Sequence, residues 1–183
     1  MEKEIISRIK NNDKYAFEAL YNKYASYALR TAYLITKNKA LAQDAVQECF
    51  VKIYFSIDSF DEERPFKPYL YRALVNECYS LLKKNSKTVF LEDFPVEQEQ
   101  EKYYEDFYSD KYSLLYKGIS RLNINQRVPI ILMYFRGFKE KEIAEILDIN
   151  INTLKSRLFK GRQKLKDFLR KSNVGEEYDE YKF

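Results

Sequence analysis

Basic side chains crowd the stretch between Thr153 and Lys171, where they could bind phosphate groups. The stretch holds eight Lys and Arg residues against a single acid, Asp167. Positive side chains at this density are suited to neutralising the phosphates of nucleic acid. A charge run by itself is equally typical of an ordinary solvated helix. A nucleic-acid site therefore requires a second feature, namely an element that presents these residues to DNA.

The residues around this run have the layout of a helix-turn-helix. We predict a first helix over 138–147, a turn over 148–150 and a second helix over 151–166. Ala144 is small enough to let two helices cross closely, and the Asn150 side chain can cap the second helix. The predicted core between the helices consists of Ile143, Leu147, Ile149, Leu154 and Leu158. Charge, turn and cap coincide here, which favours DNA binding.

The second helix of such a motif enters the major groove with its N-terminal end. Four polar side chains near that end are predicted to touch base edges or flanking phosphates: Asn152, Thr153, Lys155 and Ser156. Three cations along the same helix are predicted to hold backbone phosphates: Arg157, Lys160 and Arg162. Base contacts of this kind supply sequence specificity, and phosphate contacts set the register on the duplex.

The composition excludes several kinds of catalytic site. The chain has 183 residues and no His, so it can form neither a Ser-His-Asp nor a Cys-His arrangement nor a zinc site with His ligands. The first of four Gly residues is Gly118, so no glycine-rich phosphate loop precedes it. Cys49 and Cys78 are too far apart for a C-x-x-C motif, and we interpret them as small buried hydrophobic residues. We expect no catalytic residue, no cofactor and no metal ion.

Apolar residues recur at three- and four-residue steps along most of the chain, which predicts an all-α fold. The segment 58–68 holds two Pro residues and a cluster of charges, so it is predicted as a loop. No apolar run approaches the roughly 20 residues of a membrane-spanning helix, so no membrane insertion is expected. The predicted core faces of the first three helices are Ala16, Ala19, Leu20, Tyr24, Tyr27, Ala28, Thr31 and Ile35; Leu41, Ala45, Val46, Cys49, Phe50 and Ile53; and Leu70, Leu74, Cys78 and Leu81.

Net charge changes sharply along the chain and predicts two small helical domains. Residues 1–84 carry a net +3, and residues 113–172 carry +9, as a DNA-binding domain would. Between them, residues 85–112 carry −5 and are predicted to form an acidic linker. The last residues, 173–183, carry −3 and are predicted to form an acidic tail. The simplest interpretation of this linker is a solvated spacer.

Motifs in both domains occur together in one family. Those of the C-terminal domain are Leu122–Arg127, Ile130–Tyr134, Glu142–Leu147 and Thr153–Arg157. Those of the N-terminal domain are Ala16–Tyr21 with Tyr24, Ala42–Phe50 with Val51 and Tyr54, and Tyr69–Arg72 with Asn76. In order and spacing, over about residues 13–169, the chain resembles the extracytoplasmic-function (ECF) group of the sigma-70 family. The resemblance implies a cytoplasmic specificity subunit whose partners are core RNA polymerase and promoter DNA; an anti-sigma factor is a further partner that it leaves open. It also leaves open, beside the solvated spacer, an acidic linker that occupies a basic channel of the polymerase.

The resemblance also implies roles for residues of the N-terminal domain. In that family, the segment matching 44–57 binds a coiled coil of the polymerase clamp. The polymerase-binding residues implied are Asp44, Gln47, Glu48, Phe50, Val51 and Tyr54. The loop 59–67 and the helix after it match the element that captures the promoter −10 strand, where aromatic faces stack on bases and cations bind phosphates. The residues implied there are Phe60, Phe66, Lys67, Tyr69, Tyr71, Arg72, Asn76, Lys83 and Lys84, and the helix-turn-helix residues named above correspond to −35 duplex contacts.

Other interpretations of the same residues stay open. Aromatic residues at helical spacing are more often core residues than base-stacking platforms. A helix-turn-helix regulator that binds DNA without joining polymerase would carry the same C-terminal motifs. A carboxylate-bridged metalloenzyme in a helix bundle is a third class, although such sites usually include a Glu-x-x-His motif. The family usually has Trp at Tyr69 and Asp and Arg at Ser80 and Lys83, so we expect −10 contacts that differ in detail.

Overall fold

The computed structural model of the chain describes residues 2–88 and 113–172. Within these two ranges the regular secondary structure is helical and includes no strand, which confirms the all-α prediction. The chain divides into two compact units, Met1–Leu91 and Glu92–Phe183. None of the helices in the described ranges is long and apolar enough to cross a membrane.

The first unit is built from four helices. They are α1 (Glu2–Lys10), α2 (Lys14–Thr36), α3 (Lys39–Ser56) and α4 (Phe66–Thr88), with a short 3-10 turn at Ile57–Ser59 between α3 and α4. Helices α2, α3 and α4 pack against one another, and α1 packs against α2 and the 3-10 turn. Helix α1 was not predicted from the sequence. Its buried Ile6 and Ile9 attach a largely charged helix to this core.

Side-chain caps determine where α2 and α3 begin. The carboxylate of Asp13 accepts hydrogen bonds from the backbone N–H groups of Tyr15 at 3.0 Å and Ala16 at 3.2 Å. A hydrogen bond from Arg8 lowers the pKa of Asp13, so the cap stays ionised. Asn38 caps α3 through a 2.9 Å bond from the Leu41 N–H group. These caps satisfy backbone donors that a helix cannot satisfy within itself.

Most of the predicted core positions of the first unit are buried. Leu20, Cys49, Ile53, Leu70 and Leu74 are among those with essentially no exposed surface. Cys49 and Cys78 are buried free thiols, as predicted, and burial raises the pKa of Cys49 to about 12. Four predicted core residues are not fully buried: Ala19 and Tyr27 are exposed, and Leu41 and Leu81 are half-buried.

The segment between α3 and α4 is shorter than the predicted loop over 58–68. Helix α4 already begins at Phe66, so Pro68 lies in its first turn, where a missing N–H group costs no helical hydrogen bond. At its other end α4 continues to Thr88, so the helix enters the first four residues of the predicted linker 85–112. The rest of that linker and the predicted tail 173–183 lie outside the described residues.

The second unit contains the predicted helix-turn-helix. Over residues 113–172, its elements are α5 (Ser113–Ser120), α6 (Ile124–Ile130), a π-helical segment (Ile131–Phe135), α7 (Glu140–Leu147) and α8 (Ile151–Lys171). Helix α8 packs against α5, α6 and α7. Gly161 permits a close approach of α8 to α6, because a Cβ atom there would lie 3.2 Å from the Cγ1 atom of Ile130.

Pro129 marks the point where α6 changes its geometry. The helix begins at Ile124, and Asn123 caps it through a 3.0 Å bond from the Gln126 N–H group. Pro129 has no N–H group to donate, and the wider π-helical turns begin two residues later.

The turn between α7 and α8 lies at residues 148–150, as predicted. Asp148 adopts a left-handed conformation with φ of 51°, which ends α7. The Asn150 side chain then accepts a 2.8 Å bond from the Asn152 N–H group and caps α8. Of the predicted core between the two helices, Ile143, Leu154 and Leu158 are buried, and Leu147 and Ile149 are half-buried. Ala144, predicted to let the helices cross closely, is also buried.

Asn150→Ala is expected to lower the free energy of unfolding by about 1 kcal/mol, because the N–H group of Asn152 loses its side-chain acceptor. Urea unfolding followed by circular dichroism measures the change. Asn152→Ala is the matched control, since its exposed side chain caps nothing in the described contacts. Equal effects of the two substitutions would contradict the capping role of Asn150.

Candidate functional sites

A groove of about 1000 Å³ runs between α2 and α3 in the first unit. Aromatic rings from both helices line its floor and its rim. The Phe17 and Tyr54 rings meet edge to face with centroids 5.0 Å apart, and the Tyr21 and Phe50 rings do so at 4.8 Å. Such pairs add stability beyond the area they bury and hold the floor in one geometry.

The rim of the groove combines apolar and polar side chains that face solvent. Tyr21 and Tyr54 are each 42% exposed, and Val51 is 43% exposed. Asp44 and Gln47 are exposed and line the same groove. An apolar floor with a polar rim is the surface that an amphipathic helix of a partner can occupy.

Five of the six predicted polymerase-binding residues line this groove. Asp44, Gln47, Val51 and Tyr54 line it as exposed side chains, whereas Phe50 is only 3% exposed and lies in the floor. Glu48 is exposed but is not among the lining residues. The groove supplies a common location for most of the set, and the role of each residue stays a prediction.

The α2 wall of the groove was not predicted from the sequence. It contains Phe17, Tyr21, Ala25 and Leu29, which repeat at four-residue steps. Each of these residues directly follows a core position of α2, namely Ala16, Leu20, Tyr24 or Ala28. The sequence signal was therefore a second apolar stripe beside the core stripe. Together the two stripes are wider than a single buried helix face requires.

An ion pair joins α3 to α4 on the side of the predicted −10 residues. The Lys52 Nζ atom donates a hydrogen bond to the Glu77 carboxylate at 2.6 Å, and Glu77 is buried, with only 8% of its surface exposed. The hydrogen bond from Lys52 to Glu77 raises the pKa of Lys52. The neighbouring residue Asn76 faces solvent on α4. The pair therefore orients the turn of α4 that carries Asn76.

Three aromatic residues predicted to stack on the −10 strand lie instead in the core. Phe60 is 7% exposed, and Phe66 and Tyr71 are each 1% exposed. The Phe60 and Phe66 rings pack edge to face with centroids 5.7 Å apart. A base cannot stack on a ring whose faces are already covered, so these three rings do not form an accessible platform in this structure, and a role for them in strand capture stays a prediction. Their apolar rings stabilise the unit by burial, as the alternative interpretation held.

The other predicted −10 residues face solvent wholly or partly. Tyr69 is half-buried, its ring centroid lies 4.7 Å from that of Phe60, and its hydroxyl group bonds the Ser56 hydroxyl group at 2.6 Å. The remaining members lie on α4: Lys67 is half-buried, and Arg72, Asn76, Lys83 and Lys84 are exposed. Helix α4 therefore presents the partly accessible ring of Tyr69 together with several cations.

The predicted −35 residues all lie on α8, outside its packed face. The packed face consists of Leu154, Leu158, Gly161, Leu165 and Leu169. Of the predicted residues, Asn152, Thr153, Lys155, Ser156 and Lys160 are exposed, and Arg157 and Arg162 are half-buried. Two neighbours orient the cations: Glu140 lies 4.0 Å from the Lys155 Nζ atom, and the Tyr134 hydroxyl group lies 3.5 Å from an Arg162 nitrogen atom.

Phe159 belongs to the exposed face of α8 but was not predicted. Its side chain is 60% exposed, and it lies one turn after Lys155 and Ser156. An apolar side chain at such a position can contact the methyl group of thymine. The sequence signal was an aromatic residue placed off the leucine stripe within a basic run.

Arg127 in the motif Leu122–Arg127 has a structural role. It is 5% exposed, and its guanidinium group donates to the backbone carbonyl oxygens of Ser120 at 3.3 Å and Leu122 at 3.0 Å. These carbonyl groups lie at the end of α5 and just beyond it, where no further helical turn satisfies them. The charged side chain therefore connects α5 to α6.

Comparison with known families finds a separate match for each part of the chain. Residues 20–88 match sigma-70 region 2, and residues 112–165 match sigma-70 region 4. The first match contains α3, α4 and most of α2, and the second contains the helix-turn-helix.

Relatives and a solved structure match across both units. ECF RNA polymerase sigma factor SigW of Bacillus subtilis is 29% identical, over 93% of this chain and 97% of its own length. RNA polymerase sigma factor SigV of the same species is 31% identical, over 79% of this chain and 86% of its own. The sigma factor RpoE of Bartonella quintana, solved in complex with the anti-sigma factor NepR, superposes with a TM-score of 0.67 at 26% identity, over 84% of this chain and 96% of that one.

Tyr71→Ala is expected to lower the free energy of unfolding by about 3–5 kcal/mol, as removal of a buried aromatic side chain does. Urea unfolding measures this loss. Asn76→Ala, on an exposed position of the same helix, is expected to change the free energy by less than about 1 kcal/mol. A Tyr71→Ala protein as stable as wild type would show that the ring is not a core residue.

Proposed function

The chain belongs to the ECF group of the sigma-70 family and is a sigma factor that directs transcription initiation, and we propose how its surfaces divide that task. The groove between α2 and α3 binds core RNA polymerase. Helix α8 recognises −35 duplex DNA, and α4 with the loop before it captures the −10 strand. The observation that carries the proposal is the aromatic groove, because a regulator that only binds duplex DNA through α8 has no use for it.

The chemistry of the groove supports a helical partner. The rings of Phe17, Tyr21 and Tyr54 offer a large apolar area at a small cost in side-chain entropy. Asp44 and Gln47 on the rim can bond polar side chains of the partner and so set its register. A coiled-coil helix of the polymerase clamp, with alternating apolar and polar faces, has this chemistry.

The geometry of α8 supports recognition of the −35 element in the major groove. Its first two turns expose Asn152, Thr153, Lys155 and Ser156, whose donors and acceptors can reach base edges. Lys160 and the two half-buried arginines, Arg157 and Arg162, then bind phosphates along the helix.

The exposed part of α4 supports capture of a single strand. Tyr69 offers the accessible aromatic ring, and base stacking on such a ring is worth about 1–3 kcal/mol. Asn76 can bond the edge of an unpaired base. Lys67, Arg72, Lys83 and Lys84 lie along the same helix as phosphate ligands. The burial of Phe60, Phe66 and Tyr71 leaves stacking to Tyr69 within this set.

The remaining assignments follow from this division. RNA synthesis is the chemistry of the polymerase, so this chain supplies no catalytic residue. Its working location is the cytoplasm, where promoter DNA and core polymerase are found. The two domains span residues 1–84 and 113–172 in this proposal, with an acidic linker over 85–112 and an acidic tail over 173–183. The RpoE–NepR complex supports an anti-sigma factor as a further partner.

Reconstitution tests the proposed function. The purified chain is mixed with core polymerase of its own organism and sheared genomic DNA, and run-off transcripts are sequenced. Transcripts that start at a common promoter pattern, and only in the presence of the chain, are expected. Absence of both a complex and a transcript would refute the proposal, whereas DNA binding without a polymerase complex would favour the regulator.

Asp44→Ala combined with Gln47→Ala is expected to weaken binding to core polymerase about tenfold or more, because two polar anchors of the rim are lost. Titration with labelled core polymerase measures the affinity. Glu48→Ala is the matched control on the same helix outside the groove lining, and we expect it to change the affinity less than the double variant. A larger effect of Glu48→Ala would place the interface elsewhere on α3.

Lys155→Ala combined with Arg157→Ala is expected to leave polymerase affinity unchanged and to abolish recognition of the upstream promoter element. If both side chains contact phosphates, the logarithmic salt dependence of DNA binding falls by about two units. Holoenzyme binding to a promoter fragment, measured at several salt concentrations, provides the readout. Loss of polymerase binding in this variant would contradict the division between the two surfaces.

A further inference from the structure

The loop before α4 is acidic, although it belongs to the proposed −10 element. Residues 58–65 contain Asp58, Asp61, Glu62 and Glu63 against Arg64. Uncompensated carboxylates repel the phosphates of an approaching strand. A loop that admits such a strand therefore needs partners for its acids.

Three of these four acids are ion-paired, and two of the pairing cations come from α1. Lys10 lies 3.2 Å from the Glu62 carboxylate, and Lys3 lies 2.7 Å from the Glu63 carboxylate. Arg64 pairs with Asp61 within the loop at 3.5 Å. Helix α1 thus compensates charges of the loop from outside it.

Lys10 makes a second contact that fixes the backbone of the loop. Its Nζ atom donates a 2.7 Å hydrogen bond to the carbonyl oxygen of Phe60. The Lys10 side chain is 24% exposed, whereas the Lys3 side chain is 60% exposed. Because solvent weakens exposed pairs, the contacts of Lys10 are the stronger anchor.

Helix α1 is itself firmly attached to the unit, which an anchor requires. Ile6 and Ile9 are buried against the core. At the start of α1, the Glu2 carboxylate accepts a 2.6 Å hydrogen bond from Lys23 and a further bond from the Tyr24 hydroxyl group. Burial acts to raise the pKa of Glu2, but these two hydrogen bonds outweigh burial and lower it. Glu2 is therefore ionised at neutral pH, and the attachment persists there.

The anchored carbonyl group belongs to the residue that supports Tyr69. The Phe60 ring packs against the Tyr69 ring, with centroids 4.7 Å apart, and against the Phe66 ring. A shift of the Phe60 backbone therefore moves the packing partner of Tyr69. The contacts run from Lys10 through Phe60 to the aromatic face proposed for base stacking.

We propose that Lys10 is a positioning residue for promoter-strand capture, which it serves by anchoring the Phe60 carbonyl group and neutralising Glu62. The inference rests on the proposed function of α4. It assigns a role to α1, which lies before the residues 20–88 matched to sigma-70 region 2.

Strand opening by the full holoenzyme tests the role of Lys10. A promoter found by the genomic run-off experiment carries 2-aminopurine in its −10 region, and the opening rate is measured at saturating holoenzyme. Lys10→Met keeps the aliphatic stem and removes the donor and the charge; it is expected to slow opening about tenfold, the scale of one hydrogen bond from a charged donor. Affinities for core polymerase and for upstream duplex DNA are expected to stay within about twofold of wild type, since neither surface includes α1.

Two further variants separate positioning from simple support of the fold. Lys3→Met removes the exposed pair with Glu63 and is expected to change the opening rate less than about twofold. Lys10→Arg keeps a charged donor and is expected to restore most of the rate. Thermal unfolding of all three proteins shows whether any change in rate follows a change in stability.

The outcomes distinguish this inference from the proposed function. If wild-type holoenzyme makes no transcript, the proposed function fails and the inference fails with it. If wild type opens the promoter and Lys10→Met opens it at the same rate, the inference alone is wrong. It is also wrong if Lys10→Met loses polymerase binding and opening in proportion, or if Lys10→Arg is as slow as Lys10→Met.

Discussion

The packing of α2 against α3 is the constraint on which the first unit depends. Helix α2 has two adjacent apolar stripes, and the fold buries only the one that contains Ala16, Leu20 and Ala28. The stripe with Phe17 and Tyr21 contacts α3 through ring edges and remains partly exposed to solvent. The same contact therefore closes the core and leaves an aromatic groove outside it. A helix cannot bury both stripes on one partner helix, because each partner covers only part of its circumference.

Helix α8 of the second unit likewise buries one side and exposes another. Its leucine stripe is held by α5, α6 and α7, and among residues 113–172 the other side of the helix is exposed. Local contacts then orient that face: Asn150 sets where the helix begins, and Glu140 lies beside Lys155. The exposed Phe159 side chain adds an apolar element to a surface that composition alone describes as basic.

Electrostatic compensation connects the elements around α4. Buried Glu77 is held by Lys52 of α3, and the acidic loop before α4 is held by lysines of α1. In each case, the partner lies far away in the sequence and close in space. A net charge summed over residues 1–84 gives no information on such pairs, because it does not record which charges meet.

The sequence by itself determined the elements with local causes. Periodic apolar residues, the Asn150 cap and the basic run predicted an all-α chain with a helix-turn-helix, and motif order indicated the family. Which face of each aromatic residue stays open was decided by the tertiary structure. Phe60, Phe66 and Tyr71 have the same residue types and similar spacing as an exposed platform, yet neighbouring helices and rings cover them. Helix α1 shows the same limit, since its role depends on contacts with residues more than fifty positions away. Helical period predicts which residues share a face, whereas burial depends on which other elements pack against that face, and that is a property of the whole fold.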